Sequence, residues 1–426
     1  MRRRALLLTA LSLGLPGRAL GLGRTPRGGT LSFRVPWALG TLDPHDWANP
    51  VAGLCAPAVF DTLYTPVAKT QMLAEELPRK EGARVVVPLR TGLRTARGKA
   101  VGPAEVVASL KRASAMGARF LLDPLGPFEV GPGHSIAFSK ATAAALVETL
   151  SLPIFAIVPS SFSPVEPDGT GAFLAQPSAN RLTLTRNPSS AMGPAFLDSL
   201  KLESAADLRE SLREFEVGRD DLGWLGAGLA TPRPSAQRFD FSSVGSFVLT
   251  ANGDTPLAKP GALQKLVDRI PKAALSHLAL GPLPDAGVEA ENPGGPITLF
   301  VDHGAHLAEV AEAIAGAISQ PDHEVTVRQT SRADIAARRR RNETMLALFT
   351  MRTITHAADS LALAADPDLR GKRATSSNVR DAASLAAAAF VGDVRVHGAR
   401  MPRLELRPGH GGRGFDLANS FMRPPS

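Results

Sequence analysis

The chain contains very little cysteine and few aromatic residues. Its 426 residues include one cysteine, Cys55, one tyrosine and three tryptophans, and aromatic residues make up 5%. A single cysteine excludes a disulfide within the chain. Cys55 also lies too far from the N-terminus to carry a lipid at a leader cleavage site, so we expect no lipoprotein. Its predicted role is that of a small buried apolar residue.

Apolar runs long enough to cross a membrane are also lacking. The run Ala5 to Leu15 is much shorter than the roughly 20 residues that a membrane helix needs. It follows Arg2-Arg-Arg4 and precedes the small residues of Pro16-Gly-Arg-Ala-Leu-Gly21. This order is typical of a secretory signal peptide. We predict a signal peptide over residues 1–23 and a soluble, exported, periplasmic protein; a buried core helix is the alternative, and Sec or Tat export both stay open.

A strong charge of one sign is absent once the N-terminus is set aside. The formal net charge is +8, and Arg2, Arg3, Arg4 and Arg18 supply four of these charges. The modest remainder is spread over about 400 residues. Such a balance does not predict a nucleic-acid partner.

Motifs of the common catalytic sites are missing. There is no Gly-x-Ser-x-Gly elbow, no His-Glu-x-x-His and no phosphate-binding loop, so we predict neither an enzyme nor a cofactor. His303 and His306 beside Asp302 have a spacing that zinc or nickel accepts. We nevertheless expect both histidines in solvent and no metal site. The arginine run 338–341 is predicted to be a solvated helix face.

What the chain does contain is alternating strand and helix patterns. A strand-helix-strand-helix-strand order is typical of an α/β unit with an open sheet. Farther upstream, Gly169-Thr-Gly-Ala-Phe173 leads into one strand, and the alternating segment Asn180 to Pro188 forms a second, which predicts a hairpin. The predicted α/β unit comprises the strand 297–301, the helix 305–318, the strand 324–328, the helix 332–341 and the strand 344–349. Near the end of the chain, Phe415 to Phe421 has the alternation typical of a strand.

Several motifs occur in the order of one known family. Together they resemble the family 5 extracellular solute-binding proteins, which serve peptide and nickel ABC importers. The resemblance covers nearly the whole mature chain. The motifs are Gly28-Gly-Thr-Leu31, Thr41-Leu-Asp-Pro44, Val59-Phe-Asp-Thr-Leu-Tyr64, Leu73-Ala-Glu75, Val87-Pro-Leu-Arg-Thr-Gly92, Pro103 to Arg112, Ile157-Val-Pro159, Gly169 to Phe173, Leu182 to Asn187 and Glu216 to Asp220.

The resemblance implies an α/β, two-lobed periplasmic-binding-protein fold, type II and cluster C-like, with a hinge between the lobes. Lobe I would comprise residues 28–245 plus 396–426, with an extra subdomain at about 50–165, and lobe II residues 246–395. The chain would cross between lobes near 247–249 and 394–397. A ligand would be enclosed by hinge closure.

The resemblance also implies where ligand contacts should lie. Peptide-binding members carry an aromatic segment with an amine-binding aspartate, which in this chain reads Thr350 to Leu361 without aromatic residues. Arg352 stands there instead and suits a carboxylate, while Asp359 aligns loosely with the aspartate. Asn252 is retained in the segment after the central strand. The predicted ligand-binding residues are Trp37, Trp47, Trp224, Asn252, Arg352 and Asp359.

The resulting hypothesis is the periplasmic substrate-binding component of an ABC importer. It would capture a peptide or other small solute, deliver it to a permease in the inner membrane, and act as a monomer. The alternative is a paralogue inactive in transport that serves as a periplasmic sensor or interaction protein. A hydrolase ranks third, because scattered Ser, His and Asp residues can converge in space.

Overall fold

The computed structural model describes residues 27–66, 70–224, 234–275, 278, 295–366, 377–409 and 414–424. The predicted signal peptide, residues 1–23, lies outside the described residues. In the ranges described, no helix combines the length and the apolar character needed to cross a membrane.

Strands and helices alternate along most of the described chain. The strands are β1 Thr30–Val35, β2 Arg79–Glu81, β3 Arg84–Pro88, β4 Phe128–Val130, β5 Ser135–Phe138, β6 Phe173–Ser178, β7 Arg181–Arg186, β8 Ser199–Ser204, β9 Leu222–Trp224, β10 Gln237–Asn252, β11 Ile297–Val301, β12 Val325–Gln329, β13 Met345–Arg352, β14 Ala388–Arg400, β15 Leu404–Glu405 and β16 Phe421–Met422. The helices are α1 Pro50–Val59, α2 Pro103–Ala113, α3 Arg119–Leu122, α4 Ala143–Leu150, α5 Leu208–Glu216, α6 Ala262–Asp268, α7 Lys272–Leu275, α8 Ala305–Ile318, α9 Arg332–Arg340, α10 Ala357–Ala365 and α11 Val379–Ser384.

One mixed sheet of ten strands organises the fold. Its order is β12-β11-β13-β10-β14-β9-β1-β8-β7-β6. At one end, β11 pairs in parallel with both β12 and β13. At the other end, β1 pairs in parallel with β8, and β6, β7 and β8 are antiparallel neighbours. The β6–β7 pair is the hairpin predicted from the sequence.

Two long strands join the two ends of the sheet. β10 has 16 residues and β14 has 13, and they pair antiparallel with each other. The other edge of β10 pairs with β13, and that of β14 with β9. Their ladder shifts register between Phe241 and Gly245, and again between Phe247 and Val248. The predicted crossings at 247–249 and 394–397 fall on these strands; the lobe boundaries themselves stay a prediction.

The predicted α/β unit is present with nearly the predicted bounds. β11, α8, β12, α9 and β13 follow one another, and the three strands are mutually parallel. All eight residues of β13 are buried, because a strand in the middle of a sheet is covered on both faces.

A second, antiparallel sheet lies within the predicted extra subdomain. Its order is β2-β3-β5-β4. Phe138 on β5 and Leu110 on α2 belong to an apolar cluster that also contains Met351 and Leu361. The small sheet is therefore fixed to the end of β13 and to α10 by a shared core.

Three local predictions are wrong. In the arginine run 338–341, predicted to be a solvated helix face, Arg339 is 5% exposed and its Nη2 donates to Ala364 O at 2.8 Å. The segment Phe415 to Phe421, expected as a strand, forms a turn in which Asn419 N–H donates to the Asp416 carboxylate at 3.1 Å, and its pairing is limited to an isolated bridge at Phe415 and a short pair that begins at Phe421. His306, expected in solvent, is 1% exposed. Its ring stands edge-on to Phe247, and its Nε2 donates to Leu278 O at 2.6 Å.

Candidate ligand-binding cavity

Helix α1 forms one wall of a cavity, and its sequence explains its start and its shape. Asn49 caps the helix by accepting from Val51 N and Ala52 N at 2.9 and 3.3 Å, and Pro50 fits the first helical position. Pro57 inside the helix has no N–H, so the carbonyl of Gly53 lacks the usual donor four residues later. Both Gly53 and Pro57 line the cavity.

The cavity has a volume of about 630 Å³, which is within the range that holds small-molecule ligands. It lies beside two neighbouring strands of the large sheet, because Val244 of β10 and Arg352 of β13 line its wall together with α1. Most of the lining side chains are apolar. The remaining lining comes from the segments 60–66, 152–156, 190–196, 352–354 and 415–419, with Arg27, Met72, Ala172 and Gly409.

Asp61 places a buried carboxyl group in this wall. Asp61 is 4% exposed, and Thr170 Oγ1 donates to its Oδ2 at 2.8 Å. Burial raises the pKa of Asp61 to about 6, although the Thr170 hydrogen bond and the charge of Arg90 act in the opposite direction. Asp61 is therefore mostly ionised at neutral pH, at a substantial desolvation cost.

Two glycines allow Thr170 to reach Asp61. A Cβ atom on Gly169 would lie 2.1 Å from the carbonyl oxygen of Val59, and one on Gly171 would lie 2.6 Å from the carbonyl carbon of Val59. Only glycine permits so close an approach of two backbones. The glycine turn is consequently pressed against the end of α1, with the Thr170 hydroxyl directed at Asp61.

The turn that contains Ser190 also contacts Thr170. The carbonyl of Thr170 accepts from Ala191 N at 3.1 Å, and Asn187 Nδ2 donates to Gly171 O at 2.8 Å. These bonds seat the 187–191 turn on the glycine turn. Ser190 lines the cavity, and its enclosed Oγ has no hydrogen-bond partner among the described residues. Asp61 and Ser190 thus both line the cavity and are both connected to the glycine turn, Asp61 through the Thr170 hydroxyl and Ser190 through its neighbour Ala191.

Arg352 combines cavity lining with a structural role. Its Nη1 donates to Pro44 O at 2.6 Å and to Asp46 O at 3.3 Å, and its backbone N–H donates to Trp47 O. Burial lowers the pKa of Arg352 to about 10, opposed by Asp46 and Asp43, so it stays cationic. These bonds fasten the loop after β1 to the end of β13.

The loop after β1 carries further ion pairs. Arg112 Nη2 contacts Asp43 Oδ2 at 2.5 Å, and its Nη1 donates to Nδ1 of His45 at 2.8 Å. His45 Nε2 in turn donates to Ala156 O at 2.9 Å. Burial lowers the pKa of His45 to about 4, so the ring is neutral and its tautomer is set by these two partners.

The three predicted tryptophans are all buried. Trp37 and Trp224 meet edge to face at 5.4 Å, and Trp224 also contacts Phe415. Trp47 packs on Phe120 at 6.0 Å. None of the three lines the described cavity, and their predicted ligand contact stays a prediction.

Asn252 and Asp359 make contacts within the fold. Asn252 Nδ2 donates to Glu343 O at 3.0 Å and closes the turn between α9 and β13. Asp359 in the first turn of α10 accepts from Thr355 Oγ1 at 2.5 Å and lies 3.3 Å from His356 Nε2. Of the six predicted residues, the structure brings only Arg352 to this cavity.

Sequence reasoning missed Asp61 and Ser190. Asp61 interrupts the mostly apolar stretch from Val51 to Leu63, and a carboxylate in such a stretch is a signal in itself. Ser190 follows Asn187-Pro188, which predicts only a turn.

Comparisons with known proteins agree on the fold. No family model and no curated protein matches the sequence. The oligopeptide-binding protein AppA of Bacillus subtilis, solved with a nonapeptide, has a TM-score of 0.71 at 12% identity, covering 94% of this chain and 100% of that one. AgaA of A. tumefaciens R10, solved with agropinic acid, has a TM-score of 0.70 at 17% identity, covering 93% and 99%.

A nickel-binding example agrees as well. NikA of Staphylococcus aureus, solved with Ni(L-His)2, has a TM-score of 0.66 at 12% identity, covering 92% of this chain and 99% of that one. Identities this low establish architecture, since one fold can carry many functions. The match over almost the full length of each chain confirms the architecture that the motif series predicts. The chain therefore has the two-lobed α/β fold of these solute-binding proteins.

Proposed function

We propose that the protein is an exported, periplasmic solute-binding component of an ABC importer, of the family 5 type. It captures a small molecule or peptide and presents it to a membrane permease, and it acts as a monomer without enzymatic activity. The observation that supports this most directly is the cavity of about 630 Å³, which residues of both predicted lobes line.

The position of the cavity suits a mechanism of closure around ligand. Gly53 and Ser190 line it from the predicted lobe I, and Arg352 lines it from the predicted lobe II. A solute that contacts both sides binds the closed arrangement better than the open one, and so shifts the population toward closure. The register shifts in the β10–β14 ladder are the positions at which we expect the backbone to adjust.

Ligand screening tests the proposal. We expect a member of a panel of short peptides, opines, sugars and nickel chelates to raise the melting temperature and to reduce the radius of gyration in small-angle scattering. A ligand at a hundredfold excess over its Kd stabilises by about 2.7 kcal/mol. Absence of any stabilisation, together with no solute co-purifying with the natively expressed protein, would contradict it.

A second candidate is a binding protein that no longer serves transport and acts as a periplasmic sensor or interaction partner. It is favoured by Arg352, whose Nη1 is engaged by backbone carbonyls, and by the tryptophans packed in the interior. Uptake assays in a strain lacking this protein separate the two. Normal uptake of the identified solute, with loss of a transcriptional response to it, favours the sensor.

A further inference from the structure

We propose that the cavity binds a primary ammonium group, carried by a solute that is otherwise largely apolar, at a subsite formed by Asp61 and Ser190. The inference rests on the proposed solute-binding function and specifies its ligand class.

The carboxylate of Asp61 is buried without a cation. Among the described residues, its side chain accepts one hydrogen bond, from Thr170 Oγ1 to Oδ2. Arg90 acts on it through space, but the hydrogen bond of the Arg90 side chain goes to Met192 Sδ at 3.9 Å. A buried ionised group is costly unless it is paired. Oδ1 of Asp61 has no donor among the described residues, and Asp61 lines the cavity, from which a ligand can supply one.

A neighbouring aspartate shows the contrast with a purely structural carboxylate. Asp168 is 2% exposed, and both of its oxygens are satisfied: Thr95 Oγ1 donates to Oδ2 at 2.8 Å and Arg97 N to Oδ1 at 3.0 Å. It is not part of the cavity wall. Asp61 has half of these bonds and faces the cavity.

Ser190 supplies a second acceptor in the same cavity wall. Its Oγ has no partner among the described residues, and Thr170 bonds both to Asp61 and to Ala191, the neighbour of Ser190. An ammonium group has three donors. In the proposed subsite one of these donors binds Asp61 Oδ1 and a second binds Ser190 Oγ, which a single hydroxyl donor cannot do.

The rest of the wall selects an apolar body. Its apolar lining includes Phe60, Met72, Met192, Phe415 and Leu417. The other charged side chains in the wall are Arg27, Arg352 and Asp416. Arg27 is exposed, Arg352 binds the loop after β1, and Asp416 accepts from Asn419. None of these three pairs with Asp61.

The experiment compares three probes with one alkyl chain: octylamine, octanol and octanoate. Isothermal titration calorimetry near neutral pH should give octylamine an affinity at least about tenfold above that of the other two, the size expected of a charge-assisted hydrogen bond. Asp61→Asn should lower octylamine affinity about tenfold and leave octanol unchanged, and Ser190→Ala should lower it by a smaller factor. Asp168→Asn is the matched control and should keep the preference.

Three results would overturn the inference. These are equal affinities for the three probes, an Asp61→Asn variant that keeps the amine preference, and a co-purified solute in this cavity that carries no amine. The last result would contradict the ammonium subsite but leave the solute-binding function intact. If no probe bound and no solute co-purified, the ammonium subsite and the solute-binding function would both be contradicted. If Asp61→Asn does not fold, the wild type decides: octylamine affinity should fall as the pH is lowered through about 6 while octanol affinity stays constant.

Discussion

Arg332 donates from Nη1 to Oδ2 of Asp46 at 2.8 Å, and so joins helix α9 to the loop after β1. The same guanidinium donates to Ala48 O at 3.1 Å and lies 3.3 Å from Asp302 Oδ2. In the predicted division, Asp46 belongs to lobe I and Arg332 to lobe II. The ion pair therefore spans the two predicted lobes, and we expect it to stabilise a closed arrangement of them.

Replacing this arginine should favour an open form. We expect Arg332→Ala to weaken binding of the identified solute by roughly five- to tenfold, since allosteric couplings of this size are common, and to increase the radius of gyration of the free protein. Arg341→Ala is the matched control, because Arg341 pairs with the nearby Glu343 and is 59% exposed. Equal affinity and scattering for wild type and Arg332→Ala would exclude a role in closure.

Asp61→Asn should stabilise the ligand-free protein above about pH 6. The carboxyl has a pKa near 6 in the folded protein against 3.8 ordinarily. Protonation of Asp61 therefore favours the folded state at low pH, and this contribution to the free energy of unfolding is lost as the pH rises through 6. Removing the buried charge should then gain on the order of 2–3 kcal/mol at alkaline pH. Urea unfolding at about pH 8 and about pH 5 measures this, and the gain should shrink at the lower pH.

The neighbouring carboxylate gives the opposite expectation. Asp168→Asn should destabilise by about 1–2 kcal/mol, because both of its oxygens accept hydrogen bonds and an amide nitrogen cannot. If both variants changed stability in the same direction, the assignment of Asp61 as an unpaired buried charge would be wrong.

Gly171→Ala should be severely destabilising. A Cβ there would lie 2.6 Å from Val59 C and 2.8 Å from Ala58 O, both backbone atoms of the helix end. We expect a loss of about 2–4 kcal/mol, which is in the range for overpacked interiors. Gly316→Ala is the control: nothing lies within 4 Å of its Cβ in α8, and alanine there should gain about 1 kcal/mol. Thermal unfolding of both variants checks the pair.

The protein should lose stability on mild acidification. Burial lowers the pKa of His45, His306 and His397 to about 4 each, so the folded state binds these protons later than the unfolded chain, whose pKa is 6.5. The contribution of these histidines to the free energy of unfolding is complete above pH 6.5 and declines as the pH falls toward 4.

The histidine at the loop after β1 gives this prediction a specific test. His45→Gln keeps a donor to Ala156 O and an acceptor for Arg112 but cannot titrate. We expect urea unfolding to show a shallower acid slope for His45→Gln and an unchanged slope for His303→Gln, since His303 is exposed. Identical slopes for wild type and His45→Gln would mean that this ring is not part of the acid response.

Local pattern accounts for much of the fold. The bounds of β11 and α8 coincide with the predicted strand and helix, because strand and helix periods are written into consecutive residues. The ordered motifs predicted the two-lobed architecture. Phe415 to Phe421 was predicted as a strand because its apolar residues alternate with polar ones. Phe415 and Leu417 are buried in the core, but they lie in a turn in which Asp416 accepts from Asn419 N–H. An alternating pattern does not distinguish such a turn from a strand.

The site depends on contacts between distant segments. Arg352 was predicted as a ligand residue from its position after the strand, and the structure places it at the cavity while its Nη1 binds carbonyls about 300 residues earlier in the chain. Asp61 was not predicted as a ligand residue, because its single hydrogen bond comes from Thr170, 109 residues away. Whether a polar side chain can bind a ligand depends on how many of its hydrogen bonds are already made within the fold.

The sequence by itself determined the strand and helix pattern, the glycine turn at 169–171 and the order of motifs from which the architecture follows, because each is encoded over a few neighbouring residues. Only the tertiary structure decided that this turn presses against helix α1, that Thr170 leaves Asp61 half satisfied, and that a cavity opens beside it. Burial and hydrogen-bond satisfaction are properties of the packed chain, and they convert an ordinary aspartate into a candidate ligand contact.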